Sequence, residues 1–126
     1  MNNLEKEFTP YDIALELKQL GFDDEVIATY PKNRRELKLN NVKVTETTKA
    51  ILFQQAFRFF REKYDMSHSI DKDWDNGHLL GYEYVISEQE GVTVSKTYHT
   101  YEEAELACLK KLIEIVKEEN KWKQMN

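Results

Sequence analysis

The chain has 126 residues, a net charge of −5 and one cysteine, Cys108. A chain of this length can bury a core without disulfides, and one cysteine cannot form an internal disulfide, which is typical of a reducing compartment. The N-terminus carries acids and lacks the apolar segment of a signal peptide, and no apolar run approaches the ~20 residues of a membrane span. We therefore expect a cytoplasmic protein with a single domain over residues 1–126, frayed at 1–7 and 120–126.

The first helix is predicted over about residues 10–20. Thr9 is a favourable N-cap, and Pro10 suits the first helical position, where its missing N–H removes no hydrogen bond. An apolar stripe follows at helical spacing, formed by Ile13, Leu17 and Leu20. Gly21 then permits the left-handed backbone that commonly ends a helix.

Residues 22–47 give a weaker pattern, which predicts a β-hairpin. The two short strands lie at 26–30 and 36–39, and the polar stretch between them suits a turn. A second helix is predicted over residues 48–64, because aromatic and aliphatic side chains recur on one face at 3.6-residue spacing. Its opposite face carries polar side chains one turn apart, namely Gln54, Arg58 and Arg61.

Three further strands are predicted between the second and third helices, at about 66–70, 82–86 and 92–98, with a polar turn over 71–77. In the last strand, the alternation of Val92, Val94 and Tyr98 predicts one side that faces the core. Aromatic side chains on an open sheet face can stack nucleic-acid bases. For the tyrosines at 82, 84 and 98, however, the apolar neighbours on the same faces favour core packing.

The third helix has the clearest start signal, because Thr100 and Glu103 form a capping box. With two one-sided helices and alternating strands, we expect an α+β fold. It is a two-layer sandwich in which an antiparallel sheet of three to five strands carries about three helices on one face. The element order is α-(ββ)-α-β-β-β-α.

Charge is unevenly distributed along the chain. Residues 31–64 hold nine basic and three acidic side chains, whereas both flanking segments are acidic. A basic middle is typical of a solvated surface with internal charge complementarity, and it is also compatible with nucleic-acid binding through residues 32–61. The candidate phosphate contacts are Lys32, Arg34, Arg35, Lys38, Lys43 and Lys49.

Reactive side chains show no catalytic or metal-binding spacing. The three histidines form no HxxxH pair, Cys108 has no CxxC partner, and no glycine-rich phosphate loop occurs. Cys108 lies in the apolar stripe of the third helix, where a thiol stays protonated and unreactive. We therefore expect no enzyme activity, cofactor or metal. An enzymatic alternative requires Glu105, which falls near the centre of the same apolar face, to share a pocket with His99 and a tyrosine.

The order of helix, three strands and helix resembles that of the double-stranded RNA-binding domain. That family needs lysines at the start of its last helix to hold phosphates. Here the same place carries Glu102, Glu103 and Glu105, which would repel them. The likeness is therefore one of topology.

Three segments carry a second resemblance. They are residues 9–22, which begin Thr-Pro-Tyr-Asp-Ile-Ala-Leu; residues 55–64, Gln-Ala-Phe-Arg-Phe-Phe-Arg-Glu-Lys-Tyr; and residues 101–117, which begin Tyr-Glu-Glu-Ala-Glu-Leu-Ala. Together they resemble a family of short uncharacterised proteins encoded by Bacteroidetes bacteria, their phages and mobile elements. The family has no assigned activity, so the resemblance implies a small accessory protein.

Two functional hypotheses result. The first is a non-enzymatic protein-interaction module whose contacts with an unknown protein partner are Gln54, Arg58 and Arg61 on the second helix. Self-association as a homodimer, through a free strand edge or a helix surface, is an open alternative within it. The second hypothesis is nucleic-acid binding by the basic middle, with an affinity that falls steeply as salt rises.

Overall fold

The computed structural model describes residues 6–30, 38–39 and 48–125. Within them it contains three helices and six strands, all strand pairs being antiparallel, which confirms the predicted α+β class. The elements are, in chain order, α1 (Tyr11–Gln19), β1 (Ala28–Tyr30), β2 (Lys38–Leu39), β3 (Thr48–Ala50), α2 (Phe53–Tyr64), β4 (Ser67–Asp75), β5 (His78–Glu88), β6 (Gly91–Val94) and α3 (Tyr101–Met125).

The chain divides into two compact units, Met1–Arg58 and Phe59–Asn126. Each unit holds one three-stranded sheet, with the orders β2-β1-β3 and β4-β5-β6. The strands thus belong to two sheets, where the sequence predicts one sheet of three to five strands. The organisation as a single domain stays a prediction.

In the first unit, β1 is the central strand, with Ala28 opposite Leu39 of β2 and opposite Ala50 of β3. The predicted hairpin is therefore confirmed with shorter strands. The predicted start of the second helix at Thr48 is wrong, because residues 48–50 form β3 instead. Thr48 and Ala50 are buried on one face of this sheet, so tertiary pairing overrides the helical pattern.

Helix α2 starts at Phe53 with a capping contact of its own. The side-chain oxygen of Gln55 accepts a hydrogen bond from the Leu52 N–H at 3.1 Å, and the Leu52 carbonyl accepts one from Ala56. Gln55 stands at the third helical position, from which the side chain of a capping box reaches back. This contact ends β3 and begins the helix within a few residues.

The start of α1 also differs from the prediction. The helix begins at Tyr11 with Pro10 at the N-cap, and no side chain caps it. Thr9 instead donates its backbone N–H to the Ile51 carbonyl at 2.7 Å, which holds it beside the segment after β3. The Thr9 hydroxyl is buried, and it has no hydrogen-bond partner in the part of the chain that the structure describes.

The end of α1 is as predicted. Gly21 has a φ of 101° and donates to the Lys18 carbonyl, while Phe22 donates to the Leu17 carbonyl, both at 3.0 Å. These two hydrogen bonds define a Schellman motif, which requires a left-handed residue at the glycine position. Phe22 and Leu17 are both buried in the core of the first unit.

In the second unit, β4, β5 and β6 form a meander. The turn between β4 and β5 contains only Asn76 and Gly77, with φ values of 49° and 80°. Positive φ at both central residues is typical of a type I′ turn, which matches the twist of paired strands. Residues 71–75, predicted to be a turn, are therefore part of β4.

The inner face of this sheet packs on α3. Directly paired residues on neighbouring strands share a face, so Ile86 and Tyr84 of β5 lie on the same side as His68 and Ile70 of β4. The buried side chains of α3 complete the core; they are Ala104, Cys108, Leu109, Leu112, Ile113 and Val116.

The prediction that Val92, Val94 and Tyr98 share one face of the last strand is wrong. Val94 pairs with Val85, whereas Tyr98 pairs with Tyr82, so the chain after Val94 holds one residue more than the strand beside it. One extra residue reverses the face of everything beyond it. Val92 and Val94 therefore lie on the outer face, 65% and 56% exposed, while Tyr98 lies on the inner face.

Helix α3 starts as predicted, because the Thr100 hydroxyl accepts a hydrogen bond from the Glu103 N–H at 3.1 Å. It continues to Met125 and so includes residues 120–125, which the sequence predicts to be frayed. Its last buried residue is Val116, and the side chains at 117–124 are exposed. The end of the helix therefore contributes little to the core of the second unit.

We predict that Gly81→Ala destabilises the protein by about 1–3 kcal/mol more than Gly91→Ala. A methyl group at Gly81 would collide with the Tyr98 carbonyl and come within 2.8 Å of Thr97 Cγ2, while Gly91 has open space around it. Both glycines have similar φ values, 152° and 143°, so the comparison isolates the collision. Chemical denaturation measures the difference, and equal losses would contradict this packing.

We predict opposite effects on stability for two substitutions, one at Thr9 and one at Tyr30, whose hydroxyl contacts Thr9. Thr9→Val removes a buried hydroxyl without a partner and raises the free energy of unfolding by about 1 kcal/mol. Tyr30→Phe removes the hydrogen bond from the tyrosine hydroxyl to the Thr9 carbonyl, 2.7 Å long, and lowers it by about 1 kcal/mol. Urea titration of both variants checks the signs, and a destabilised Thr9→Val would show that the hydroxyl has a partner.

Candidate functional site

The three residues predicted to contact a partner from α2 are all exposed. Gln54 and Arg58 lie on the same side of the helix, and the Arg58 guanidinium is 4.0 Å from the Asp24 carboxylate. Arg61 lies near His68 of β4. Burial, with a contribution from the Arg61 charge, lowers the pKa of His68 below its usual value. Arg58 and Arg61 thus each have an electrostatic neighbour within their own unit.

Of the six predicted phosphate contacts, the described side chains include that of Lys49. Lys32, Arg34, Arg35 and Lys43, and the side chain of Lys38, lie outside the described residues. Lys49 is described, and its ammonium group donates to the carbonyls of Asp23 and Asp24 at 3.2 and 2.8 Å. It also lies 3.7 Å from the Asp23 carboxylate. Lys49 therefore holds the loop after α1.

This loop borders a cavity of about 420 Å³ in the first unit. The cavity lies between α1 and β3, and its lining residues are Ala14, Lys18, Gly21, Phe22, Asp23, Lys49 and Ile51. The lining contains two amines and one carboxylate beside apolar surface. It holds no histidine, cysteine or hydroxyl side chain.

Cys108 on α3 is not accessible as a nucleophile. The thiol is fully buried, and burial, with a smaller contribution from the Glu105 carboxylate, raises its pKa to about 12. Glu105 is half-buried and His99 is exposed before the helix starts. Within the described residues, no group of three or more His, Cys, Asp or Glu side chains could hold a metal ion.

The most unusual surface of the second unit lies at the turn between β4 and β5. We call Trp74, Leu79 and Leu80 the hairpin tip. These large apolar side chains are 56%, 44% and 53% exposed, although Trp74 and Leu79 are directly paired across the two strands. Exposed apolar side chains that lie side by side, as the paired Trp74 and Leu79 do, commonly mark interaction sites, whereas single ones need no explanation.

The hairpin tip is exposed because the two strands extend beyond α3. Tyr101, the first residue of α3, contacts Tyr82 of β5 edge to face, with ring centroids 6.0 Å apart. Trp74 and Leu79 lie further along the hairpin, past the start of the helix. The helix that covers Tyr84 therefore does not reach them.

The base of the hairpin tip is held in place by contacts that flank it. The Thr97 hydroxyl donates to the Asp73 carboxylate at 2.6 Å, and the Tyr82 and Tyr98 backbones exchange hydrogen bonds of 2.8 and 2.6 Å. The Lys72 ammonium lies 5.8 Å from the centroid of the Trp74 ring, within reach of a cation–π contact. The tip is therefore presented on an ordered support.

Sequence reasoning missed the hairpin tip by assigning Trp74 to a polar turn. The dipeptide Asn76-Gly77 was the available signal, because it is the preferred sequence of a type I′ turn. Two strands of equal length extended from that turn would have paired Trp74 with Leu79. They would also have shown that three acids flank the tip, namely Asp71, Asp73 and Asp75.

No family model, curated protein or solved structure shows a significant match to the chain. None of the helices in the described ranges has the length and apolar character needed to cross a membrane.

We predict that Cys108 does not react with iodoacetamide in the native protein at pH 8. A thiol with a pKa near 12 holds almost no thiolate at that pH, and its burial blocks the reagent. Alkylation should rise with urea along the unfolding transition, as measured by intact mass. Rapid alkylation without denaturant, at a protein concentration where circular dichroism shows a folded chain, would contradict the placement of Cys108.

Proposed function

We propose that the protein is a non-enzymatic interaction module that binds another protein through the hairpin tip. The main observation in support is that Trp74, Leu79 and Leu80 are all exposed on an ordered hairpin. Tryptophan is among the side chains that contribute most binding energy when buried at the centre of an interface. The resemblance to short proteins of Bacteroidetes, their phages and mobile elements supports an accessory role in such a setting.

The geometry of the hairpin favours binding for two reasons. The type I′ turn and the contacts of Asp73 limit the motion of the tip, so little conformational entropy is lost on association. The acids around the apolar side chains also favour a partner whose apolar pocket is bordered by basic groups, because complementary charge speeds encounter and selects the partner.

The exposed face of α2 remains a second proposed contact surface. Gln54, Arg58 and Arg61 are accessible, but each arginine already has an electrostatic neighbour. A salt bridge at such an exposed site, as between Arg58 and Asp24, contributes little to stability. We therefore expect Arg58→Glu with Arg61→Glu to leave folding intact and to weaken partner capture less than changes at the hairpin tip.

The test is partner capture from the native host by tagged protein, with Trp74→Ala and Leu80→Ala combined in one variant. We expect the double variant to fold normally and to lose at least ~100-fold in affinity for the captured protein, because truncating two central apolar contacts removes about 3 kcal/mol or more. Titration calorimetry with the purified partner measures the loss.

Trp122→Ala is the matched control, since Trp122 is also exposed, at 66%, but lies near the end of α3. Its affinity should equal that of the wild type. If the folded Trp74→Ala, Leu80→Ala variant binds with unchanged affinity, the hairpin tip does not contact the partner. Capture that disappears after nuclease treatment, together with a steep salt dependence, would instead favour nucleic-acid binding through residues 32–61.

A further inference from the structure

We propose that two copies of the chain associate by pairing their β6 strands antiparallel, which joins the two β4-β5-β6 sheets into one sheet of six strands. This inference does not depend on the partner proposed for the hairpin tip. Strand β6 lies at the edge of its sheet and contains only Gly91, Val92, Thr93 and Val94. It carries neither the charges nor the proline with which edge strands commonly prevent further pairing.

The backbone of β6 offers hydrogen-bonding groups to a second strand. The Ser95 N–H donates to the Tyr84 carbonyl at 3.0 Å, so the backbone of Ser95 hydrogen-bonds toward β5. The direction of the backbone N–H and C=O groups alternates along an antiparallel strand. Those of Thr93 therefore also point toward β5, and those of Val92 and Val94 point away from it. Their two N–H and two C=O groups make no hydrogen bond with any described residue.

The side chains at this edge favour association as well. Val92 and Val94 are 65% and 56% exposed on the outer face, beside the half-buried Val85 of the adjacent strand. A second β6 strand would place its own valines against them. Pairing therefore removes apolar surface from water in addition to satisfying the backbone.

One register uses all four free backbone groups. With Thr93 opposite Thr93 of the second copy, Val92 and Val94 form hydrogen-bonded pairs across the two-fold axis. Extended past the ends of β6, the same register brings Glu90, in the turn before the strand, near Lys96 of the second copy, twice in the dimer. Within its own copy the Lys96 ammonium lies 5.3 Å from the centroid of the Tyr98 ring. The surroundings of Glu90 are acidic, since burial and the charges of Glu119 and Glu90 raise the pKa of Glu88. A lysine from the second copy is therefore electrostatically favoured there.

The opposite edge of the sheet explains why association stops at two copies. Strand β4 carries Asp71, Lys72, Asp73 and Asp75, all at the edge or on the exposed surface beside it. Charged side chains on an edge strand oppose pairing with another strand. Of the two edge strands of this sheet, β6 is the one without charged side chains, and its pairing with an identical strand closes the assembly as a dimer.

The test is sedimentation velocity of the full chain over a concentration series, with exchange of the charged pair. We expect the wild type to form a dimer and Glu90→Lys to raise the dissociation constant by about tenfold or more, because it faces Lys96 of the second copy. Lys96→Glu should have a similar effect. The variant with both changes should recover dimerisation to within a few-fold of the wild type, because the opposite charges then face each other again.

A second measurement uses disulfide trapping. Thr93→Cys should form an intermolecular disulfide under mild oxidation, since the two cysteines meet at the two-fold axis, whereas Ser87→Cys on the adjacent strand should not. A monomeric wild type at all concentrations, or a double charge variant as weak as the single ones, would overturn the proposal. Circular dichroism of each variant excludes loss of fold as the cause.

Discussion

Strand β5 is paired with β4 along one edge and with β6 along the other. The extra residue between Val94 and Tyr98 determines which side chains of the last segment lie on each face of this sheet. The insertion turns Tyr98 inward, where its ring stacks on Tyr84 with centroids 6.3 Å apart, and leaves the preceding valines outside. It depends on Gly81, since any larger residue there would meet the Tyr98 backbone. One local irregularity thus gives the second unit a core on one face and an apolar patch on the other.

Two surfaces of the second unit follow from this arrangement. The hairpin tip lies at the turn between β4 and β5, where the strands extend past the start of α3, and the free edge of β6 lies along the opposite side of the sheet. They also differ in chemistry. The tip offers a few large side chains beside three acidic residues of β4 and Lys72, which suits a pocket, whereas the edge offers backbone groups and valines, which suits another strand.

Two of the reactive side chains in the described residues are buried or engaged in contacts. Cys108 is buried as a protonated thiol, and Lys49 is bound to the loop after α1. The cavity beside that loop brings Lys18, Lys49 and Asp23 near apolar side chains. Large apolar side chains are exposed in the β4–β5 hairpin and at β6.

Local signals in the sequence determined the α+β class, the end of α1 at Gly21, and the capped start of α3 at Thr100, because caps and helical periodicity act within a few residues. Only the tertiary structure decided that residues 48–50 form a strand, that β4 continues to Asp75, and that Val92 faces outward. Each of these depends on which distant strand supplies the hydrogen bonds and in what register. A one-residue shift in pairing changes the face of a side chain without changing the sequence pattern.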